Sequence, residues 1–383
     1  MDHAATTYAA PEVVEAMLPY FSEKFGNPSS VYSIGQENKA VIDTTRAKVA
    51  AAINAEPNEI YFTAGGSESD NWVLKGVAFA NLQKGKHIIT TAVEHHAILH
   101  AAEWLQSQGF EVTYLPVDKS GMVSPADVEK AIRPDTILLS VMYANNEIGT
   151  IQPIAEIGAI ARAYGIYFHT DAVQAVGHVP IDVKAENIDM LSLSGHKFYG
   201  PKGVGALYIR RGVRIQNLIH GGAQESRHRA GTENVPGIVG LGAAIERAVR
   251  EMPTESARLT AMRDHLIAEL CKIPASHLNG HPVRRLPNNV NITFEYIEGE
   301  GILMLLNMFG ICASTGSACN SASLKPSHVL TAIGVPHEIS HGSVRLTLGK
   351  LNTEEDVSYV LEKLPEIVNK LRSMSPLTPD ELR

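Results

Sequence analysis

Ser192-Leu193-Ser194-Gly195-His196-Lys197-Phe198 follows the short apolar run Ile188-Asp189-Met190-Leu191. That run has little helical periodicity and reads as a buried strand, which puts Lys197 at the strand's C-terminal end. Beyond it come Tyr199-Gly200-Pro201-Lys202-Gly203-Val204 and a second strand, Gly205-Ala206-Leu207-Tyr208-Ile209. The connector is too short for a crossover helix, so the second strand is expected to run antiparallel to the first. Lysines are normally solvated. Lys197 instead stands among apolar, aromatic and glycine neighbours, and desolvation of a lysine makes it a usable amine for Schiff-base chemistry.

Upstream, Ile166-Tyr167-Phe168-His169-Thr170 is another apolar strand, ending on Asp171. An aspartate before an Ala-rich segment also suits a helix N-cap, and either reading of Asp171 stands alone. Together, a lysine and an aspartate closing separate strands are the two polar groups that pyridoxal phosphate needs. The lysine takes the aldehyde, and the aspartate pairs with the pyridinium nitrogen and keeps the ring an electron sink.

Outward from this pair, strands alternate with helices. Strands are read at Ile60–Thr63, His87–Thr91, Glu111–Leu115 and Thr136–Met142, and helices at 11–21, 37–53 and 154–164. This alternation implies a mainly parallel sheet covered on both faces. Ala64-Gly65-Gly66-Ser67-Glu68-Ser69 opens a helix whose N-terminus suits a phosphate, although a plain connector capped by Ser67 or Ser69 explains it equally simply. Val93-Glu94-His95-His96-Ala97 follows a strand. No second ligand cluster stands at metal-site spacing, so a histidine stacked on a cofactor ring is preferred to zinc. Asn145 and Asn146 close the next strand, where turn formers and ligand-binding groups both occur. The stretch from Gly221 to Thr232 is cationic and glycine-rich, equipped for an anion or simply solvated. Helices are expected at 236–252 and 255–272 with Pro253 as the break, and Thr353 caps a last helix kinked at Pro365.

The 383 residues allow a large and a smaller domain, expected at 12–252 and at 1–11 with 253–383. A net charge of −8 gives no reason to expect nucleic acid. Met1 to Thr7 shows no signal-peptide pattern, and no apolar run suits a membrane span, so a cytoplasmic enzyme is expected. Three cysteines are too few for a disulfide framework. Cys271 on its helix and Cys312 suit buried, hydrophobe-like thiols. Cys319, within Ser314-Thr315-Gly316-Ser317-Ala318-Cys319-Asn320-Ser321, is expected on an exposed, mobile loop that suits a nucleophile.

The segments FGNPSS, GGSESDN, VEHHA, NNEIG, HTDAVQ, SLSGHK, RAGT and STGSACNS, in this order and spacing, resemble the cysteine desulfurases of the NifS/IscS type over nearly the whole chain. SGHK and GSAC together are the specific part. The resemblance implies an α/β fold of type I among pyridoxal-phosphate enzymes, a homodimer, and transfer of sulfur from L-cysteine to an acceptor protein. By position it implies Lys197 as the Schiff-base lysine, Asp171 at the pyridine nitrogen, and His95 on the ring and in proton transfer. Gly66, Ser67, Ser194, His196 and the other subunit's Thr232 would hold the phosphate, with Asn146 and Gln174 beside the ring. Arg345 would clamp the substrate carboxylate together with Asn146, and Cys319 would receive the sulfur. Asn320, Lys325 and Tyr32 depart from the family's usual residues. A selenocysteine lyase or an aminotransferase of the same fold is the nearest alternative, and an aminotransferase has no use for Cys319. A non-catalytic assembly platform would not need Lys197 and Asp171.

Overall fold

The computed structural model describes residues 1–315 and 326–382. The expectations for Cys319, Asn320 and Lys325 therefore fall outside the described residues. Its first sheet comprises β1 (Ile60–Thr63), β2 (His87–Thr91), β3 (Glu111–Leu115), β4 (Thr136–Ser140), β5 (Tyr167–Asp171), β6 (Met190–Ser194) and β7 (Gly205–Ile209). Across the sheet the order is β1-β7-β6-β5-β4-β2-β3. The pairs from β3 through β6 are all parallel, and β7 runs antiparallel to both β6 and β1. The tight connector around Lys197 has this consequence, because the ten residues from Gly195 to Val204 are too few for the crossover that a parallel strand needs.

Side chains alternate between two hydrophobic layers, as the two-residue period of a strand requires. Ile89, Leu139, Leu191, Ala206 and Tyr208 enter one core, while Ile88, Leu138, Met190 and Leu207 enter the other. Strands buried on both faces read as continuous apolar runs. A smaller antiparallel sheet, β8 (Ser276–Leu278), β9 (Asn289–Phe294) and β10 (Ser343–Thr347), carries a third core with Ile292, Phe294, Val344, Leu346, Val360 and Leu364.

Pro253 does not break the chain into two helices. A single helix runs Val235–Leu270, capped by Asn234, whose Oδ1 accepts the Gly237 N–H at 3.1 Å. Its first half packs Ile238, Leu241 and Ile245 into a core of the large sheet, and its second half packs Leu259, Met262 and Leu266 into the core of the small one. Pro253 lies on the exposed side, where water can satisfy the carbonyl left unpaired by the missing N–H. Pro365 likewise sits inside one helix, Glu354–Met374, which Thr353 and Asp356 close with a capping box. The N-terminal helix is divided at Pro19 into Pro11–Met17 and Pro19–Ser22.

Cys271 and Cys312 are both exposed, contrary to the expectation of buried thiols. Leu259, Met262, Leu266 and Leu270 form the inward stripe of the long helix, and Cys271 follows one residue past its end. At the other position Ile311 takes the inward place, leaving Cys312 to solvent. Among the described residues no helix is long and apolar enough to cross a membrane.

Candidate active site

The carboxyl ends of the parallel strands converge on one cavity of about 310 Å³. Open α/β sheets bind ligands at this edge, in the crevice outside the carboxyl ends of the strands. β1 delivers Gly66 and Ser67, β2 Glu94 and His95, β4 Asn146 and Glu147, β5 Asp171 and Gln174, and β6 Ser194, His196 and Lys197. Arg345 reaches the same space from β10.

The helix Gly66–Ala80 opens without a side-chain cap. Gly65, its N-cap, has φ 151° and ψ −174°, a conformation essentially restricted to glycine. A Cβ on Gly66 would lie 2.5 Å from Val173 Cγ2, so only glycine fits against the β5 loop. Neither Ser67 nor Ser69 caps the helix. Its first-turn N–H groups have no partner within the helix and, with the dipole, favour an anion there.

Lys197 Nζ donates to the carbonyl oxygens of Ala4 at 2.5 Å and Ala5 at 2.9 Å. Gln174 Nε2 also donates to Ala4 O, at 3.0 Å. Thr6 Oγ1 lies 3.0 Å from His196 Nδ1, and Thr7 donates both N–H and O–H to His196 O at 2.9 Å. The N-terminal segment thus straps the cavity wall around Lys197. Asp2 continues the strap, with its Oδ1 3.0 Å from Arg345 Nη2.

The two amides after β4 have separate tasks. Asn145 is buried, donates to Val93 O at 2.9 Å and accepts the N–H groups of Glu147 and Ile148, so it builds the turn. Asn146 lines the cavity, and its backbone carbonyl accepts from Arg345 Nη1 at 2.9 Å. His95 caps the helix His96–Ser107 by accepting the Ala97 N–H on Nδ1 at 3.1 Å, which leaves the proton of its neutral ring on Nε2.

Burial raises several carboxyls below the cavity. Glu94 is pushed up to about 8, against the hydrogen bonds that Met142 N–H and Thr91 Oγ1 give its Oε1, while Oε2 is buried with no hydrogen-bond partner among the described residues. Glu147 is pushed up to about 7 by burial, opposed by Ser327, Arg345 and His95. Asp70 is raised by burial and then by the charge of Asp171. Asp171 is raised by burial but held down by His95, the Val173 N–H and Lys197. Burial pulls His169 down to about 3 and His178 and His196 to about 4.

A pH optimum of stability follows. Glu94 and Glu147 bind protons more tightly folded than unfolded, so their contribution is present at low pH and lost as pH rises through about 7 and 8. The three histidines have the opposite sign: their contribution is present above the ordinary histidine value and lost as pH falls toward 4. The cofactor-free protein should therefore melt highest near pH ~6.5. Glu94→Gln should flatten the decline between pH ~7 and ~8.5. A wild-type melting temperature that climbs through that interval would contradict this assignment.

The cavity therefore gathers Lys197, Asp171, His95, Gly66, Ser67, Asn146, Gln174, Ser194, His196 and Arg345. Thr232 is not among its lining residues and is exposed on the surface. Asp2, the carbonyls of Ala4 and Ala5, Asp70, Glu94 and Glu147 were not anticipated as site residues. Glu94 and Glu147 did leave a signal, since each directly neighbours a residue read as a ligand group, His95 and Asn146. The Asp2 contact joins residues 343 positions apart, and local pattern carries no trace of it.

Residues 1–360 match the family model of class-V aminotransferases. The chain is 69% identical to a cysteine desulfurase IscS of Methanosarcina thermophila over 383 residues, covering all of this chain and 95% of that protein. It is 61% identical to a cysteine desulfurase IscS of Clostridium botulinum, covering all of this chain and 97% of that one. A solved NifS-like protein superposes with a TM-score of 0.91 at 40% identity, covering 97% of this chain and 99% of that chain. A structure described as SspA in complex with cysteine superposes with a TM-score of 0.81 at 41% identity, covering 91% of this chain and 97% of that chain.

Proposed function

Because this chain belongs to the class-V aminotransferase family, and within it to the cysteine desulfurases of the NifS/IscS type, we propose that it removes sulfur from L-cysteine, releases alanine and passes the sulfur on through Cys319. It has the type I fold of pyridoxal-phosphate enzymes and depends on that cofactor. The observation that carries the reading is the donor set of one cavity: an amine at Lys197, a buried carboxylate at Asp171 and a helix N-terminus at Gly66–Ser67. These match the three polar ends of pyridoxal phosphate, its aldehyde, its ring nitrogen and its phosphate.

When bound, the cofactor supplies an electron sink for the pair released when the substrate's α-proton leaves. Lys197 would hold it covalently and, once displaced, take the α-proton on Nζ. Asp171, raised by burial and held down by His95, the Val173 N–H and Lys197, would pair with the ring nitrogen and hold a proton there. His95, with its neutral-ring proton on Nε2, would stack on the ring and serve proton transfer to the substrate. Gly66, Ser67, Ser194 and His196 would bind the phosphate, and Gln174 and Asn146 would orient the ring. Arg345 would bind the substrate carboxylate, assisted by Asn146. Cys319 would attack the substrate sulfur as a thiolate while the substrate's Cβ–Sγ bond breaks, its electron pair staying on Cβ, which takes a proton to give alanine. It would then carry the sulfur as a persulfide to an acceptor protein.

The same reading makes the protein a cytoplasmic homodimer. Leu18, Phe21, Phe25 and Val31, exposed at 58%, 64%, 69% and 93%, give an apolar surface of the kind that association covers. Thr232, exposed and outside its own chain's cavity, would reach the partner's phosphate site. Residues 12–252 would form the large domain, and 1–11 with 253–383 the small one, the long helix bridging them.

One experiment tests activity and assembly together. Wild type should release alanine from L-cysteine in step with reductant-labile sulfur, while Lys197→Ala and Thr232→Ala should each be impaired. After subunit exchange, their mixture should recover activity above both parents, because one site of each hybrid dimer keeps Lys197 and Thr232. Wild type that releases no alanine would remove the proposed activity. A mixture no better than its parents would remove the shared site alone.

A further inference from the structure

We propose that Asp2 is a positioning residue for substrate binding, fixing the Arg345 guanidinium so that its remaining donors meet the α-carboxylate. This rests on Arg345 being the carboxylate anchor. Arg345 is 2% exposed, and its guanidinium is held at two nitrogens. Nη1 donates to Asn146 O at 2.9 Å and Nη2 to Asp2 Oδ1 at 3.0 Å. Nε is buried and makes no hydrogen bond with any of the described residues, although a guanidinium carries five N–H donors in one rigid fork. A buried donor without a partner is costly, so Nε together with the unspent Nη hydrogens is equipped to receive a carboxylate from the cavity that Arg345 lines.

Asp2 is itself built in. Its Oδ2 accepts from Ser314 Oγ at 2.9 Å, so each carboxylate oxygen has a fixed partner. Its backbone bridges to Thr347, and the next two residues bond the same place: His3 N to Thr347 O at 3.3 Å and Ala4 N to Thr347 Oγ1 at 2.9 Å. Thr347 ends the strand that carries Arg345, so anchor and strap move as one body. Because the guanidinium fork is planar, fixing two nitrogens fixes the direction of the third. Without Asp2 the side chain would keep its charge and lose its aim.

The test measures KM and kcat for L-cysteine on the cofactor-loaded full chain. Asp2→Ala should raise KM about tenfold or more, as expected for a lost charged hydrogen bond, and change kcat far less. Asp2→Asn, which keeps an oxygen acceptor and guards against misfolding of the alanine variant, should fall between. Arg345→Ala should raise KM further, and adding Asp2→Ala to it should raise KM no more, since a residue acting through Arg345 has nothing left to act on. An unchanged KM in both Asp2 variants, with Arg345→Ala impaired, would overturn the role of Asp2 and leave the anchor intact. Full additivity in the double variant would overturn it too. An unchanged KM in Arg345→Ala would instead remove the anchor, and the proposal with it.

Discussion

Lys197→Ala is expected to abolish turnover, lowering alanine release by roughly 10³-fold or more, since the change removes both the covalent hold on the cofactor and the base for the α-proton. The fold should survive. Lys197 Nζ donates to two backbone carbonyls, Ala4 O and Ala5 O, and the strap keeps its other bonds through Thr7, Gln174 and Asp2. Pyridoxal phosphate should still bind, because the N-terminus of the helix Gly66–Ala80 and the Asp171 carboxylate are untouched. Borohydride reduction separates the two effects. In wild type the cofactor mass should be fixed on the peptide containing Lys197, and in the variant it should wash away. Cofactor fixed to another lysine in wild type would overturn the role given to Lys197.

Cys319→Ser is the second large effect, and it acts at a different step. A serine hydroxyl keeps the size and polarity of the thiol but is almost wholly protonated at neutral pH, so it is a far poorer nucleophile. Alanine release should fall by at least ~10²-fold, while the cofactor's absorbance and its shift on adding cysteine persist. In wild type treated with cysteine, one reductant-removable sulfur should appear on the Cys319 peptide. Cys271 and Cys312 are exposed thiols, so they are real competitors in this measurement. Sulfur on either of them in place of Cys319, or wild-type turnover by Cys319→Ser, would defeat the assignment.

Much of this architecture was legible before the structure because its strands are buried on both faces. The bounds of β1, β2, β3 and β7 coincide with the strands read for them. The antiparallel turn after Lys197 was likewise legible from the length of its connector. What escaped has physical causes. β8 is three residues long and only partly buried, too short for any period to show. The helix Gly299–Met308 contains Gly299 and Gly301, poor helix formers, yet a Cβ on Gly299 would fall 2.6 Å from Ser343 O, so close packing dictates the glycine that hides the helix. Pro253 reads as a break because propensity is local, whereas the two cores that pack the two halves of its helix are not.

Of the site, the groups at strand ends could be read because chemistry and position coincide there: Lys197, Asp171, Asn146 and His95. The strap could not. Its residues are small or ordinary, and only the return of the chain's first residues to β10 brings Ala4 to Lys197 and Asp2 to Arg345.

The helix Val235–Leu270 has a thermodynamic consequence. Ile238 and Leu241 belong to one core and Leu259 and Leu266 to another, yet all lie on one hydrogen-bonded rod. Melting either core strips its half of the rod of packing, and short isolated helical segments are marginal in water. Fraying therefore spreads along the rod toward the other core, and the two cores lose their structure together. Heat should find a single cooperative unit here, with van't Hoff and calorimetric enthalpies in agreement, where two hydrophobic cores would otherwise invite two transitions.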